Sequence, residues 1–480
     1  MTNIVNGVAR EWAGKSFEER KRKEKKVIEL QDDNFGFGLL FDMGCGKTLT
    51  SISIIGAAYE KGFIKRVLII APSSVVAVWP KEFKEYAAFP NTVIALLDTK
   101  AKREKSLKNL MSLEGEQLKV AVINYEGVWR KGIKELLLEF DADMIVCDES
   151  QRIKTHNATQ SKAVHELGDK ARYKLILSGT PVQNEIIDLY SQYRFLDPKI
   201  FGTNFYEFRN TYCKMGGFNN KQIVGYRNLK ELTKKEHSIA YRVTKDEALD
   251  LPEQIFETRY VALNNKTAKI YQKLKEDSIA ELENEEQVTA TTVLTKLLRL
   301  QQLCGGFLQT DESDTVEQVG TEKLEAIKDI VEDYVLYAGK KLVIFARFVP
   351  EVLAIKDTVD KLLKNKKSVC MYGDTKKTDR GKLVQQFQED KDTVVFIGQI
   401  DTAGTGITLT AADTCVYYSK NFNYATYSQS LSRIHRIGQK NRCTYIDLLA
   451  EGTVDEKINQ ALMKKEGISN SVVNDWKKYF

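Results

Sequence analysis

Two α/β lobes, each a mostly parallel sheet flanked by helices, with helical insertions between them, are predicted by three features of the 480-residue sequence. Short β-branched runs alternate with longer helical stretches up to about residue 190. The same alternation resumes at Lys341, after an interval that shows no comparable series. The first apolar run also ends in a glycine loop, "DMGCGKT", which the apolar stretch "LTSISIIGAAY" follows with helix-compatible composition.

Taken in order, "GLLF" (38–41), "RVLIIAP" (66–72), "KVAVINYE" (119–126), "MIVCDES" (144–150) and "YKLILSGTP" (173–181) are compact apolar runs that stop at polar or turn residues. Strands buried on both faces of a parallel sheet read this way. The residues just past their C-terminal ends are where such sheets place ligands. From about Tyr190 to Thr321 the chain is rich in Phe, Tyr and Lys and reads as mostly helical insertions. Leu324, Ile327, Val331 and Tyr334 form a helical apolar stripe leading into the second series. That series is "KLVIFAR" (341–347), "KSVCMYGD" (367–374), "TVVFIGQ" (393–399), "TCVYYS" (414–419) and "TYIDLLA" (444–450). The expected organisation is lobe one over 1–190, helical insertions and a bridge over 191–320, and lobe two over 321–480.

Composition narrows the class. No run of about 18 apolar residues exists, so no membrane span is expected. The N-terminal stretch lacks an apolar signal core. The seven cysteines are scattered singly with no C-x-x-C pair, which predicts neither a disulfide framework nor a zinc site. A reducing, cytoplasmic compartment follows. With 72 basic and 66 acidic residues the balance is mildly basic; it permits nucleic-acid binding without establishing it. The run "EERKRKEKK" (18–26) reads as a solvated helix face, with a DNA-phosphate contact or nuclear address as the alternative.

The chemistry-bearing residues lie at strand ends. Met43, Gly44, Cys45, Gly46, Lys47 and Thr48 have the pattern of a phosphate cradle. The glycines let backbone N–H groups approach phosphate oxygens at a helix N-terminus. Lys47 is expected at the β- and γ-phosphates and Thr48 at Mg²⁺. The usual first glycine of the loop is Phe41 here. Asp148 and Glu149 end a buried strand, where one carboxylate can hold Mg²⁺ and its neighbour can orient water; a helix cap is the plainer role. Arg433 and Arg436, read as one helical turn apart on one face, suit the charge that builds on a transferring phosphoryl group.

With those pieces in place, the sequence resembles the Swi/Snf-type DNA translocases of helicase superfamily two. The resemblance runs from about Gly38 to Leu462 through "DMGCGKT", "APSSVVAVW", "INYE", "DESQRIK", "SGTPVQN", "LVIFARF", "MYGDTKKTDR", "AGTGITLTAAD" and "QSLSRIHRIGQ", in the family's order. It implies two RecA-like lobes and an ATP- and Mg²⁺-dependent, DNA-dependent ATPase. It implies that Lys47, Asp148, Glu149, Gln151, Arg433 and Arg436 serve catalysis, that Met43 to Leu49 and Gly406 hold the nucleotide, and that Thr48 and Asp148 hold the metal. Ser178, Gly179, Thr180 and Gln429 take the coupling positions. Ser73, Ser74, Trp79, Asn124 and Tyr125 in lobe one, with Gly373, Thr375, Thr402 and Thr405 in lobe two, take positions near DNA; Trp79 reads equally as a core aromatic. The implied partner is double-stranded DNA of any sequence, branched DNA and DNA-bound proteins included, gripped by a monomeric motor without a membrane. The size of the chain favours a bacterial or phage-infected cell.

The sequence departs from the family in three places. No Arg-Pro-x-Gln segment precedes the loop, Gln151 stands where a histidine is common, and Thr408 stands where an asparagine is common. The alternative reading is a strand-separating or branch-migrating helicase acting in recombination, repair or replication; a wedge hairpin would mark it, and the sequence shows no obvious one.

Overall fold

The computed structural model describes residues 35–183, 185–216, 222–248, 250–284, 290–309, 316–404, 407–420, 423–460 and 462. The basic run at 18–26 lies outside them, as do Thr405 and Gly406. The chain forms two compact units and passes from the first to the second between Asp250 and Leu251.

The first unit contains β1 (Phe35–Phe41), β2 (Arg66–Ala71), β3 (Asn91–Leu96), β4 (Leu118–Asn124), β5 (Met144–Asp148) and β6 (Tyr173–Leu177). An antiparallel hairpin, β7 (Cys213–Gly216) and β8 (Gln222–Tyr226), precedes β9 (Ala240–Val243). The seven-stranded sheet has the order β3-β4-β2-β5-β6-β1-β9, and each neighbouring pair is parallel. All its carboxyl ends therefore share one edge. Side chains alternate between the faces, as a pleated strand requires. Leu40, Leu68, Ile70, Ala121, Ile123, Ile145 and Ile176 fill one core. Leu39, Phe41, Val67, Ile69, Val120, Val122, Val146 and Leu175 fill the other. Burial on both faces is why these strands read as unbroken apolar runs.

The second unit contains β10 (Gln254–Val261), a short antiparallel hairpin of β11 (Phe307–Gln309) and β12 (Val316–Gln318), β13 (Leu342–Ala346), β14 (Lys367–Met371), β15 (Thr393–Gln399), β16 (Thr414–Tyr417) and β17 (Cys443–Ala450). Its six-stranded sheet, β10-β17-β16-β13-β15-β14, is again parallel throughout. The predicted stripe lies on the helix Glu322–Val331, with Leu324, Ile327 and Val331 buried against this sheet and Tyr334 packed beside them.

The interval expected to be helical, 191–320, supplies strands to both sheets as well as helices. β9 ("AYRV") is an edge strand of the first sheet and β10 ("QIFETRYV") an edge strand of the second. Phe256 and Tyr260 on β10 stay exposed. An edge strand needs no continuous apolar run, so neither segment carries the signal that marks a central strand. Among the described residues no helix is long and apolar enough to cross a membrane.

Candidate nucleotide site

In the first unit, β1 delivers the glycine loop to the carboxyl edge of the sheet. Gly44 and Gly46 adopt φ of 88° and 85°, the left-handed region that disfavours a side chain. A Cβ at either would meet no atom within 4 Å, so the space beside the loop is open at both glycines. The helix Lys47–Glu60 starts directly after Gly46 and points its N-terminus into that space. Lys47 Nζ donates to the Phe41 carbonyl at 2.9 Å and lies 3.5 Å from that of Asp42. Phe41, in place of the usual glycine, is buried as the last residue of β1 and contributes this carbonyl. Cys45 is buried, and burial pushes its thiol up to about 11.

Asp148 ends β5, two strands from β1 in the sheet. Burial, followed by the charge of Glu149, pushes its carboxyl up to about 7, against the pull of Lys47 and a hydrogen bond from Trp79. Trp79 Nε1 donates to Asp148 Oδ2 at 3.2 Å, and the Tyr125 hydroxyl donates to the Asp148 carbonyl at 2.8 Å. Both aromatics are buried, Trp79 at 1% exposure and Tyr125 at 0%. Trp79 packs in the core on one face of the sheet, the core-aromatic alternative of its reading, and Tyr125 packs in the core on the other face. Thr48 and Asp148 offer the hard oxygen donors that Mg²⁺ takes. A buried carboxylate beside a second acid is also short of positive charge, so the donor set fits the ion.

Glu149 follows with φ of 52°, a left-handed conformation rare for a residue with a side chain. The turn aims its carboxylate at Gln151, whose Nε2 donates to Glu149 Oε2 at 2.5 Å. Gln151 Oε1 accepts from the Ser178 hydroxyl at 2.7 Å, and Ser178 Oγ accepts from the Thr180 amide at 3.1 Å. One amide thus bridges the acidic box to the segment after β6. A second bridge was not visible in the sequence. Ser150 Oγ donates to Gln192 Oε1 at 2.7 Å, and Gln192 Nε2 donates to the Pro181 carbonyl at 2.7 Å. Gln192 lies on the helix Asp188–Leu196, and no motif singles it out.

At the ends of β2 and β4 the predicted polar residues converge on Glu126. Its Oε2 accepts from Asn124 Nδ2 at 2.8 Å and from the exposed Ser73 hydroxyl at 3.3 Å. Arg152 stands 3.6 Å from Glu126 Oε1. Burial raises its carboxyl, but a backbone amide and these neighbours hold it below its ordinary value. Ser74 is exposed at the same edge.

In the second unit, Gln399 at the end of β15 gathers two of the predicted DNA-facing residues. Its Oε1 accepts from the Gly373 amide at 3.0 Å and the Thr402 hydroxyl at 3.1 Å. Thr375 Oγ1 accepts from the Tyr372 amide at 3.0 Å. Arg380 Nε donates to the Thr375 carbonyl at 3.1 Å and its Nη2 to that of Gly373 at 3.2 Å. Gln399 and Arg380 were not picked out from the sequence; their position beside the strand ends was the available signal.

The two arginines do not share a helix face. The helix Tyr424–Leu431 ends before them, and Arg433 and Arg436 lie in a series of turns. The Arg433 amide donates to the Ser430 carbonyl and the Gln439 amide to that of Arg436, bonds that close turns instead of extending the helix. Arg433 is 4% exposed; its Nε donates to the Gln429 carbonyl and its Nη1 to that of Ile407, both at 2.9 Å. Arg436 is less buried and donates from Nη1 to Thr408 Oγ1 at 2.7 Å, so the threonine supplies an acceptor where an asparagine is common.

A family model described as the SNF2-related domain matches residues 25–306, more than half of the chain. The chain belongs to the SNF2-related family. The model of the helicase conserved C-terminal domain matches residues 322–438 of this SNF2-related chain. MG018 of Mycoplasma genitalium, named an uncharacterized ATP-dependent helicase, is 29% identical over 464 residues, covering 95% of this chain and 42% of that protein. YwqA of Bacillus subtilis, described provisionally as an ATP-dependent helicase/translocase, is 27% identical over 460 residues, covering 93% of this chain and 47% of that protein. The chain therefore spans less than half the length of either relative. The SWI2/SNF2 ATPase core of Sulfolobus solfataricus, solved in complex with dsDNA, is 27% identical, with 92% of this chain and 90% of that one covered and a TM-score of 0.40.

Proposed function

We propose that this SNF2-related chain is the motor of an ATP-driven translocase that moves along double-stranded DNA and displaces what is bound ahead of it. The observation that carries the reading is the path of hydrogen bonds from Glu149 through Gln151 to Ser178 and Thr180, beside an open phosphate cradle. Such a path ties the residue that would orient water to a neighbouring loop, as a motor requires and a simple nucleotide-binding protein does not.

In this reading Lys47 leaves the carbonyls of Phe41 and Asp42 for the β- and γ-phosphates, and the amides of Met43 to Leu49 hold phosphate oxygens. Thr48 and Asp148 would hold Mg²⁺, which supplies charge neutralisation for phosphoryl transfer. Trp79 and Tyr125 fix the rotamer and backbone of Asp148. Glu149 orients the attacking water and accepts its proton, held in line by Gln151. Arg436 would meet the charge that builds on the transferring phosphoryl group, with Arg433 bracing the segment that carries it through the carbonyls of Gln429 and Ile407. Ser73, Ser74 and Asn124, with Gly373, Thr375 and Thr402, grip phosphates through hydroxyls and amides, which read no base and so suit a motor that must walk on any sequence.

One observation favours the second reading, a strand-separating helicase. The hairpin β7–β8 lies in the chain between β6 and β9 with Val224 63% exposed, and a hairpin with an exposed apolar side chain can serve as a wedge. Two measurements decide. ATP hydrolysis is compared without nucleic acid and with single-stranded DNA, duplex DNA and RNA; duplex of any sequence should stimulate most, and the effect should fall steeply with salt. A forked duplex and a triplex are then offered with ATP. Displacement of the third strand without fork opening supports the translocase; efficient fork opening without triplex displacement overturns it.

A further inference from the structure

We propose that Arg242 is a positioning residue for the nucleotide site, acting through Asp42 and through the carbonyls of Leu40 and Gly179. The inference rests on the nucleotide reading above and deepens it. Neighbouring strands β6, β1 and β9 end side by side at the carboxyl edge; Gly38 of β1 pairs with Ile176 on one side and Ala240 on the other. The glycine loop leaves β1, the Ser178–Thr180 segment leaves β6, and Arg242 sits on β9 with its side chain 6% exposed. From there its guanidinium reaches all three strand ends. Nη2 pairs with Asp42 Oδ1 at 2.5 Å, while Nη1 donates to the Leu40 carbonyl at 2.8 Å and the Gly179 carbonyl at 3.2 Å.

Asp42 is the first residue of the loop and is held from a second direction as well. Its Oδ2 accepts from the Lys245 amide at 3.1 Å, and its own amide donates to the Val243 carbonyl at 2.9 Å. The carbonyls of Phe41 and Asp42 are those Lys47 addresses, so β9 fixes the platform from which Lys47 must move toward phosphate. Gly179 lies against the same platform. A Cβ there would come within 3.2 Å of the Phe41 oxygen and 3.6 Å of Lys47 Nζ. Only a planar, always-charged fork can satisfy a carboxylate and two carbonyls in fixed directions at once; a lysine offers a single point charge. Loosening the clamp disorders the cradle before nucleotide arrives, so its loss falls on affinity more than on the chemical step.

The test uses the full chain with duplex DNA and a fluorescent ADP analogue, alongside ATP hydrolysis and a thermal melt. Arg242→Gln should raise the analogue's Kd and the KM for ATP about tenfold, with kcat reduced by less than about threefold. Arg242→Lys should recover part of that loss, since it restores the Asp42 ion pair but not both carbonyl bonds. Asp42→Asn should shift Kd and KM in the same direction by a smaller factor, and Asp42→Asn combined with Arg242→Gln should be no worse than Arg242→Gln alone. Additive losses in the double variant, or Kd and KM unchanged in folded Arg242→Gln, overturn the proposal. If Arg242→Gln fails to fold, Asp42→Asn and Arg242→Lys decide it, and unchanged KM in both refutes the clamp. A wild-type chain that neither binds the analogue nor hydrolyses ATP would instead refute the nucleotide reading itself.

Discussion

Gln151→Leu removes the side chain that joins the acidic box to the segment after β6 while filling a similar volume. Two hydrogen bonds disappear: one to the Glu149 carboxylate at 2.5 Å and one from the Ser178 hydroxyl at 2.7 Å. A bond to a charged group contributes about 1.5–3 kcal/mol and a neutral one about 0.5–1.5 kcal/mol. Glu149 is only half-buried, so water restores part of its loss, and Gln151 itself is 6% exposed, so its site admits little. The net is on the order of 1.5–3 kcal/mol, felt mainly when Glu149 must hold water in line. At about 1.4 kcal/mol per tenfold, kcat should fall roughly 10- to 100-fold with nucleotide affinity little changed. Gln151→His should keep most of the rate, because a neutral imidazole donates from one nitrogen to Glu149 and accepts at the other from Ser178. The assay is steady-state ATP hydrolysis at saturating duplex DNA, with nucleotide binding titrated in parallel. A Gln151→Leu enzyme within about twofold of wild type in kcat would refute the bridge as a working part.

Lys47→Ala should leave a folded chain with almost no ATP turnover, since the phosphates lose their mobile positive partner; near-normal turnover would remove the phosphate-loop assignment. Arg436→Ala should retain nucleotide binding yet slow hydrolysis by roughly 10³-fold, measured side by side, whereas equal loss of both would point to a damaged second unit. Glu236 is fully buried, with neither carboxylate oxygen hydrogen-bonded among the described residues, and burial pushes it up to about 8 from an ordinary 4.5 against the pull of Arg242. The folded chain therefore keeps a proton that the unfolded chain releases, so the stabilisation is complete below about 4.5 and is lost as pH rises through 8. Glu236→Gln should melt with wild type at about pH 4 and above it at about pH 8.5; equal melting temperatures at both would contradict the assignment.

Much of this protein is written in strictly local signals. A central parallel strand must be apolar on both faces, so β2, β4, β5, β6, β13, β15, β16 and β17 announce themselves as runs, and the polar residues that end them announce the working edge; the edge strand β14 is legible as well, through the run "KSVCMYGD". The glycine loop is legible for the same reason: Gly44 and Gly46 occupy a conformation that other residues avoid. The edge strands β3, β9 and β10 escaped because one side of an edge needs no apolar partner. Spacing alone also misjudged Arg433 and Arg436, since a three-residue interval is compatible with turns as well as with a helix. What only the tertiary structure decided is which distant polar groups meet. Trp79 could face solvent or the core until folding set its indole 3.2 Å from Asp148. Gln192 and Arg242 lie in stretches that resemble the family without being marked as working residues, and Gln399 ends an apolar run, yet each bridges segments that parallel pairing brings to one edge from far apart in the chain. A hydrogen bond of this kind depends on two backbones arriving within about 3 Å, and no local pattern in either segment records that arrival.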